Sequence, residues 1–389
     1  MRSGWSARAD SLRPVGEVRY LALAGPPVVC CDRGKRRRGG LAIHFETVRA
    51  GGCVSYLIGC EKSCAAIVVD PLQSQLDRYL ALASAKALRI HHVLDTHTHA
   101  DHFSAVHALA RKLDIPAIMH RSSPAPFIDV PVEDGETIIV GELRLRVLHT
   151  PGHTRDSICV ALSDRVLTGD TLLLGATGRT DLPTGDPEAL WDSLFNRLLR
   201  LDGSLVVHPA HNYKDAAPTS LAEQIATNPR LQKRERAAFV AQMNALNLAM
   251  PDHLTEALRT NSTGGKTVAR IIEEAAERIS FMSMDELKRR IESGSPGIAV
   301  LDVREAEAYA AGHVPGALHL ARGQLELRVD SFFPDPQARV VVYCEFGKIS
   351  TIAAATLRSM GFSGAVALDG GIRTWREAGF PLEKGPPPA

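Results

Sequence analysis

The densest chemistry in the sequence lies at residues 96–102, Thr-His-Thr-His-Ala-Asp-His, where His97, His99, Asp101 and His102 place four metal-binding side chains within six residues. The cluster directly follows the apolar pair Val93-Leu94 and precedes helical spacing over residues 103–113, so it sits where a strand gives way to a helix. Side chains at such a junction can converge on one point. Three later apolar strands repeat the layout. Val147-Leu148 leads through Thr150-Pro151-Gly152 to His153, Val166-Leu167-Thr168-Gly169 leads to Asp170, and Leu205-Val206-Val207 leads through Pro209-Ala210 to His211. Strands sharing sheets would gather these ends beside the first cluster. The resulting ligand set is nitrogen and oxygen without thiolate, which suits catalytic zinc, iron or manganese, since structural zinc usually takes cysteine.

A second reactive group is Cys344, which ends the apolar run Val340-Val341-Val342-Tyr343 and precedes Gly347, Ser350 and a helix. A sulfur held there faces backbone N–H groups near a helix N-terminus, an environment that stabilises an anionic persulfide. The other cysteines (30, 31, 53, 60, 64 and 159) carry no assigned chemistry; Cys60 and Cys64 fall in an expected turn, at a spacing unlike a zinc ribbon. Seven cysteines in so long a chain do not form a disulfide framework, and a reducing cytoplasm is the expected compartment.

The elements that must position these groups change character along the chain. Residues 40–207 read as short strands separated by turns, with the clearest alternation in Leu143-Arg144-Leu145-Arg146-Val147 after the turn residues Gly141 and Glu142. Helical spacing recurs over residues 190–201 and 231–246, the latter with Phe239, Val240, Met243 and Leu246 on one core-facing stripe. Residues 251–278 are expected to connect two domains. Beyond them Ser283 and Glu286 have capping-box spacing, and strands over 298–301, 340–343 and 365–368 alternate with helices over 350–360 and 372–378. That alternation predicts a small parallel α/β domain over residues 279–389.

The 389 residues suffice for two or three domains, and 45% hydrophobic with 23% charged residues excludes wholesale disorder, collagen and coiled coil. A net charge of +1 offers no field for nucleic acid or an anionic membrane, and no apolar run approaches the ~20 residues of a membrane span. Residues 1–40 stand apart, with nine basic and three acidic side chains. Their apolar stretch loosely imitates a signal peptide, but Pro26 and Pro27 interrupt it. A disordered leader or a misassigned start is expected there.

The H-x-H-x-D-H cluster and the T-P-G-H-T, T-G-D and P-A-H-N-Y segments, in this order, resemble the metallo-β-lactamase superfamily over residues 41–250. Within it, Gly178-Arg179-Thr180-Asp181 and Tyr213 are similar to the persulfide dioxygenases. That resemblance implies one Fe(II) per chain held by His97, His153 and Asp170, with Arg179 and Tyr213 binding a glutathione-linked substrate. His99, Asp101, His102 and His211 are then polar-network residues. In the glyoxalase II branch they would complete a binuclear zinc or iron site for thioester hydrolysis, and both ligand sets are present. Thr177 replaces a cysteine that some relatives place beside the arginine.

Asp302-Val303-Arg304-Glu305, Gly312-His313-Val314-Pro315-Gly316-Ala317 and the Asp369-Gly370-Gly371 segment resemble the rhodanese sulfurtransferases, whose persulfide-carrying cysteine falls on Cys344. The loop that includes Gly347, Lys348 and Ser350 departs from that family, with Ile349 where arginine is common and Glu345 where a basic residue is frequent. The combined expectation is an α/β protein, an αββα sandwich followed by a rhodanese-like parallel domain. It would oxidise glutathione persulfide to sulfite and glutathione with dioxygen, coupled to sulfane-sulfur transfer with sulfite or thiosulfate. Alternatives are a thioester hydrolase and a non-catalytic sulfur relay or persulfide sensor. Neither nucleic acid nor a membrane is an expected partner, and a homodimer is left open.

Overall fold

A computed structural model describes residues 20–21, 43–294 and 297–387, and the chain divides between Gly265 and Lys266 into two compact units. Of the expected leader only β1 (Tyr20–Leu21) is described; the rest, and with it the choice between a disordered tail and a misassigned start, lies outside the described residues. The first unit continues with β2 (Ile43–Ala50), β3 (Cys53–Cys60), β4 (Ala65–Val69), α1 (Leu76–Ala85), β5 (Arg89–Leu94), α2 (Val106–Leu113), β6 (Ala117–His120) and β7 (Val130–Val132). Its second half holds β8 (Thr137–Val140), β9 (Leu143–His149), β10 (Ile158–Ala161), β11 (Arg165–Gly169), α3 (Pro187–Asp192), β12 (Val206–Pro209), α4 (Leu221–Thr227), α5 (Arg236–Asn244) and α6 (Leu254–Thr263). These strands form two six-stranded sheets, β2-β3-β4-β5-β6-β7 and β1-β8-β9-β10-β11-β12.

Period-two patterning builds the layers. Leu143, Leu145 and Val147 of β9 are buried while Arg144 and Arg146 between them are exposed. The inward set joins Val54, Tyr56, Ile58, Ile67, Val69 and Leu94 of the first sheet in one core between the sheets. On the opposite face of the first sheet Leu57, Val68 and Val93 pack against α1 and α2 through Tyr79, Val106 and Leu109. The outer face of the second sheet buries Leu190, Leu194, Leu221, Phe239 and Met243. The result is the αββα sandwich.

Two helices differ from their sequence reading. The helix expected over 190–201 ends at Asp192 and runs on as a π turn, Ser193–Arg197, and a 3₁₀ turn, Leu198–Arg200. This keeps Leu190, Leu194 and Leu198 all fully buried. The helix expected from 231 starts only at Arg236, because Pro229–Leu231 forms a 3₁₀ turn and the Glu235 carboxylate caps the backbone N–H groups of Ala237 and Ala238. Residues 251–278 are not a bare connection: α6 belongs to the first unit and α7 (Val268–Ala276) to the second. Cys60, expected in a turn, is the buried last residue of β3.

The second unit contains β13 (Phe281–Met282), α8 (Met284–Glu292), β14 (Ile298–Asp302), α9 (Ala306–Ala311), β15 (Leu318–His319), α10 (Leu325–Phe332), β16 (Arg339–Tyr343), α11 (Lys348–Ser359), β17 (Val366–Leu368) and α12 (Gly371–Glu377). Its sheet is wholly parallel in the order β13-β17-β16-β14-β15. Parallel neighbours need crossovers, which the helices supply. Ser283 caps α8, its Oγ accepting the Glu286 N–H at 3.2 Å. Among the described residues no helix is long and apolar enough to cross a membrane.

Candidate metal centre and cysteine loop

The loops after β5, β9, β11 and β12 deliver the histidines and aspartates to one end of the sandwich. His97 is 1% exposed, with Nδ1 3.0 Å from the Thr96 hydroxyl and Nε2 buried without a hydrogen-bond partner. His153 donates its Nδ1 proton to the Arg179 carbonyl at 2.8 Å, which leaves the Nε2 lone pair facing the site. Both Nε2 atoms approach the same oxygen, Asp170 Oδ2, at 4.0 Å from His97 and 3.5 Å from His153. Burial, followed by the neighbouring His99, pushes the His97 imidazole well below its usual value, so its lone pair is available to a cation. Burial alone would raise Asp170, but His211, His153 and His97 outweigh it and hold the carboxyl well below the usual range.

Two glycines permit this approach. Gly169 ends β11 at φ +49°, where a Cβ would lie 2.6 Å from Thr96 Oγ1, and the β11–β12 register shifts at this point. At Gly178 a Cβ would lie 2.1 Å from the Asp170 carbonyl and 3.0 Å from the His153 ring. The Gly178 N–H donates to that carbonyl at 2.8 Å, so the turn leading to Arg179 lies directly against the Asp170 backbone and the His153 ring.

The other acidic and basic groups fall into two further sets. His211 Nδ1 contacts both Asp170 oxygens at 2.7 and 2.9 Å, and its Nε2 lies 2.7 Å from Asp101 Oδ2. His102 and Cys53 complete that set, with Cys53 Sγ 3.5 Å from Asp101 and 3.6 Å from His102. Burial alone would raise the Cys53 thiol, but hydrogen bonds to His102 and His211 outweigh it and lower it. His99 stands elsewhere: its Nε2 is 3.3 Å from Asp70 and 3.6 Å from Asp95, all three side chains being buried. Asp70 also accepts from the Thr96 N–H at 2.7 Å and the Thr96 hydroxyl at 3.0 Å.

Sequence reasoning missed Cys53, Asp70, Asp95 and Asn261. Asp70 and Asp95 carry the same signal as Asp170, an apolar strand ending in a carboxylate, and could have been found by it. Asn261 gave none. It reaches from α6 to donate to the His99 and His102 carbonyls at 2.8 Å each, while its Oδ1 accepts the Ser104 N–H at 3.0 Å.

In the second unit Cys344 follows β16 and is 2% exposed. Its Sγ accepts the Ser350 N–H at 3.3 Å and donates to the Ser350 hydroxyl at 3.5 Å. Gly347, at φ +85°, turns the chain into α11. The start of α12 clamps the loop from behind, with the Ile372 N–H on the Cys344 carbonyl at 2.9 Å and the Arg373 N–H on that of Glu345 at 3.0 Å. A Cβ on Gly371 would lie 2.6 Å from the Cys344 oxygen. Glu345 is paired with Arg304 at 3.3 Å and Arg376 at 3.0 Å, while Phe346, Lys348 and Ile349 are exposed.

The pattern of the metallo-beta-lactamase superfamily matches residues 48–211 and that of the rhodanese-like domain residues 283–378. Persulfide dioxygenase ETHE1 of Homo sapiens, a mitochondrial protein, is 32% identical over 214 residues, which are 54% of this chain and 84% of that protein. The chain belongs to the metallo-β-lactamase superfamily and carries a rhodanese-like domain. The crystal structure of ETHE1 from Myxococcus xanthus is similar at a TM-score of 0.56 and 38% identity, over 57% of this chain and 100% of that one. A hydroxyacylglutathione hydrolase of Anaeromyxobacter dehalogenans (strain 2CP-C) is 39% identical over 215 residues, 55% of this chain and 77% of that protein.

Within the metallo-β-lactamase domain Tyr213 stacks on His211, with ring centroids 5.3 Å apart and planes 11° from parallel. Arg179 is engaged inside the protein: its guanidinium forms a two-pronged pair with Asp181 at 2.6 Å and donates to the Ala249 carbonyl at 2.7 Å. Thr177 is buried against Met243.

Proposed function

We propose that the first unit oxidises glutathione persulfide with dioxygen and water to sulfite and glutathione at a single non-haem iron, and that the second passes sulfane sulfur between glutathione persulfide and sulfite or thiosulfate. The observation that carries this reading is the grouping of His97, His153 and Asp170, two imidazoles and one carboxylate, in the chain that also holds Cys344 at a strand end. The two chemistries share a persulfide. The residues fit the metal because His97 Nε2 is buried without a partner and His153 is locked in the tautomer that frees Nε2. An Fe(II) ion held by these three would supply open positions where a persulfide sulfur and dioxygen react.

The protein's own groups prepare that reaction. The Arg179 carbonyl orients His153, Thr96 and Asp70 fix the His97 ring, and His211 hydrogen-bonds Asp170. Tyr213, largely exposed above His211, is the proposed contact for the glutathione moiety. Arg179 would receive a glutathione carboxylate by exchanging it for Asp181. In the second unit the Cys344 thiolate attacks the outer sulfur of glutathione persulfide. The S–S bond breaks and glutathione leaves as its thiolate; sulfite then takes the sulfur from the Cys344 persulfide as thiosulfate, restoring the thiolate. The Ser350 N–H stabilises the sulfur anion throughout. A reducing cytoplasmic compartment, as read from the sequence, belongs to the same proposal.

Oxygen uptake by the iron-loaded protein, supplied with glutathione persulfide, tests the first step; sulfite and one iron per chain are the expected results. The similarity to a hydroxyacylglutathione hydrolase favours a second reading, binuclear thioester hydrolysis. Two metals per chain with thioester cleavage and no oxygen uptake would establish it instead. For the second unit Cys344→Ser should abolish sulfur transfer from thiosulfate. Equal background rates in the variant and the wild type would leave a relay or sensor.

A further inference from the structure

We propose that a cavity of the second unit, lined by the residue that follows Cys344, binds the α-amino-carboxylate end of a small thiol or its persulfide through Glu345 and Arg376. The inference rests on the reading of Cys344 as a sulfur carrier and adds the groups that recognise the molecule with which it exchanges sulfur. The cavity has a volume of about 350 Å³, within the roughly 300–1,000 Å³ of small-molecule sites. Arg304, Glu345 and Arg376 supply its charges, and Ala308, Ala311 and Leu382 give it an apolar wall.

The charged groups are arranged for a zwitterion. Arg304 is committed to the protein: Nε donates to Asp302 Oδ1 at 3.0 Å, and Nη2 donates to Asp302 Oδ2 and to the Gly312 carbonyl at 2.7 Å each. Its Nη1 reaches one Glu345 oxygen at 3.3 Å, and Arg376 Nη1 reaches the other at 3.0 Å. Each of these oxygens keeps a lone pair for a further donor, such as an ammonium. Arg376 uses Nη1 alone. Among the described residues its Nε–Nη2 edge has no protein partner, although this is the edge by which Arg304 holds Asp302 and Arg179 holds Asp181 in two-pronged pairs. A ligand carboxylate takes that edge while the neighbouring ammonium meets Glu345.

Charge balance points to the same class of ligand. Asp302, Arg304, Glu345 and Arg376 sum to zero, so the cavity suits a group carrying one charge of each sign and gives no advantage to an inorganic dianion such as thiosulfate. Because Glu345 is bonded to Cys344, a molecule held on its carboxylate brings its sulfur to the same loop. The thiol loses its proton to solvent, and the thiolate attacks the outer sulfur of the Cys344 persulfide. The S–S bond breaks, Cys344 leaves as its thiolate, and the acceptor carries the sulfur away as a persulfide.

The test uses the full-length protein under argon, which idles oxygen chemistry in the first unit. Saturating thiosulfate loads Cys344, and glutathione, cysteine or 2-mercaptoethanol accepts the sulfur. In Arg376→Gln and Glu345→Gln the KM for the amino-acid thiol should rise about three- to ten-fold, while 2-mercaptoethanol, which lacks the amino-carboxylate, should be little changed. A rise for both glutathione and cysteine identifies the shared group, and a rise for one alone identifies that molecule as its source. An equal rise for 2-mercaptoethanol, or none for either amino-acid thiol, overturns the proposal. Equilibrium dialysis with S-methylglutathione and S-methylcysteine, which cannot accept sulfur, reads the site without turnover. Arg376→Gln should bind one equivalent per chain fewer of at least one of them than the wild type. Equal binding of both overturns the site. Loss of the equivalent in a protein whose Cys344 transfers no sulfur supports the site and refutes the carrier reading instead.

Discussion

Asn261→Ala perturbs the metal loop through its backbone, without touching any candidate ligand side chain. The side chain is 6% exposed and satisfies three backbone groups of the loop, the His99 and His102 carbonyls and the Ser104 N–H. Alanine leaves these groups without their partner. One unsatisfied buried group costs about 1–3 kcal/mol. Water can reach part of the gap, since Ser104 is half-buried, so the total is expected near the cost of one to two fully orphaned groups, about 3 kcal/mol. For a unit of this size that lowers the midpoint of thermal unfolding by roughly 6–12 °C. The two carbonyls bracket Asp101, so loop disorder should also weaken metal binding by about 10- to 100-fold, the usual effect of losing an outer hydrogen bond at a metal site. Thermal unfolding of the full chain, followed through the first unit's transition, and metal competition against a chelator read the two effects. Asn261→Asp should not rescue, because it keeps the acceptor for Ser104 but sets a carboxylate against two carbonyls. If Asn261→Ala unfolds within 1 °C of the wild type and binds metal equally well, the reasoning fails.

Gly178→Ala forces a Cβ to 2.1 Å from the Asp170 carbonyl; the turn must move, and metal analysis should give clearly less than one ion per chain at equal protein yield. His92 is buried and pushed down to about 4 from its usual 6.5 by burial, with His91 adding to it. The folded state therefore excludes a proton that the unfolded chain binds. The stability is complete above pH 6.5 and is lost as pH falls towards 4, about 3 kcal/mol in all. Denaturant unfolding between pH 7.5 and pH 4 measures that slope, and His92→Leu should flatten it. Glu345→Gln removes a negative charge beside Cys344 and releases Arg376; KM for thiosulfate should fall about two- to five-fold with kcat little changed, an effect sized to a partly exposed ion pair. An unchanged KM would mean that the pair does not oppose the anion.

The histidine-rich loop, the three strand-end ligands and Cys344 were legible because each follows an apolar strand, and a strand end is a local pattern. Apolar alternation likewise announced β9, and the capping spacing of Ser283 and Glu286 announced α8. Those signals come from bonded neighbours and from periodicity, which a linear sequence records directly. Partition of the ligands was legible only through the family resemblance, not from any local pattern. Nothing local distinguishes His97, which faces His153 and Asp170, from His99 two residues later, which turns to Asp70 and Asp95. Which way each ring points depends on strands brought together from 26 to 110 residues away, as between Thr96 and Asp70 or His211 and Asp101. The same holds for Asn261, in a segment read as a connection, and for Cys53, a cysteine with no motif around it. Arg179 shows the limit most plainly. Its motif marked it for a substrate, and the fold fills its guanidinium with Asp181 and the Ala249 carbonyl. Residue type and strand order thus belong to the sequence, because they follow from covalent spacing and patterning. The pairing of donors belongs to the tertiary structure, because hydrogen-bond and metal distances of a few ångströms exist only after distant strands have packed.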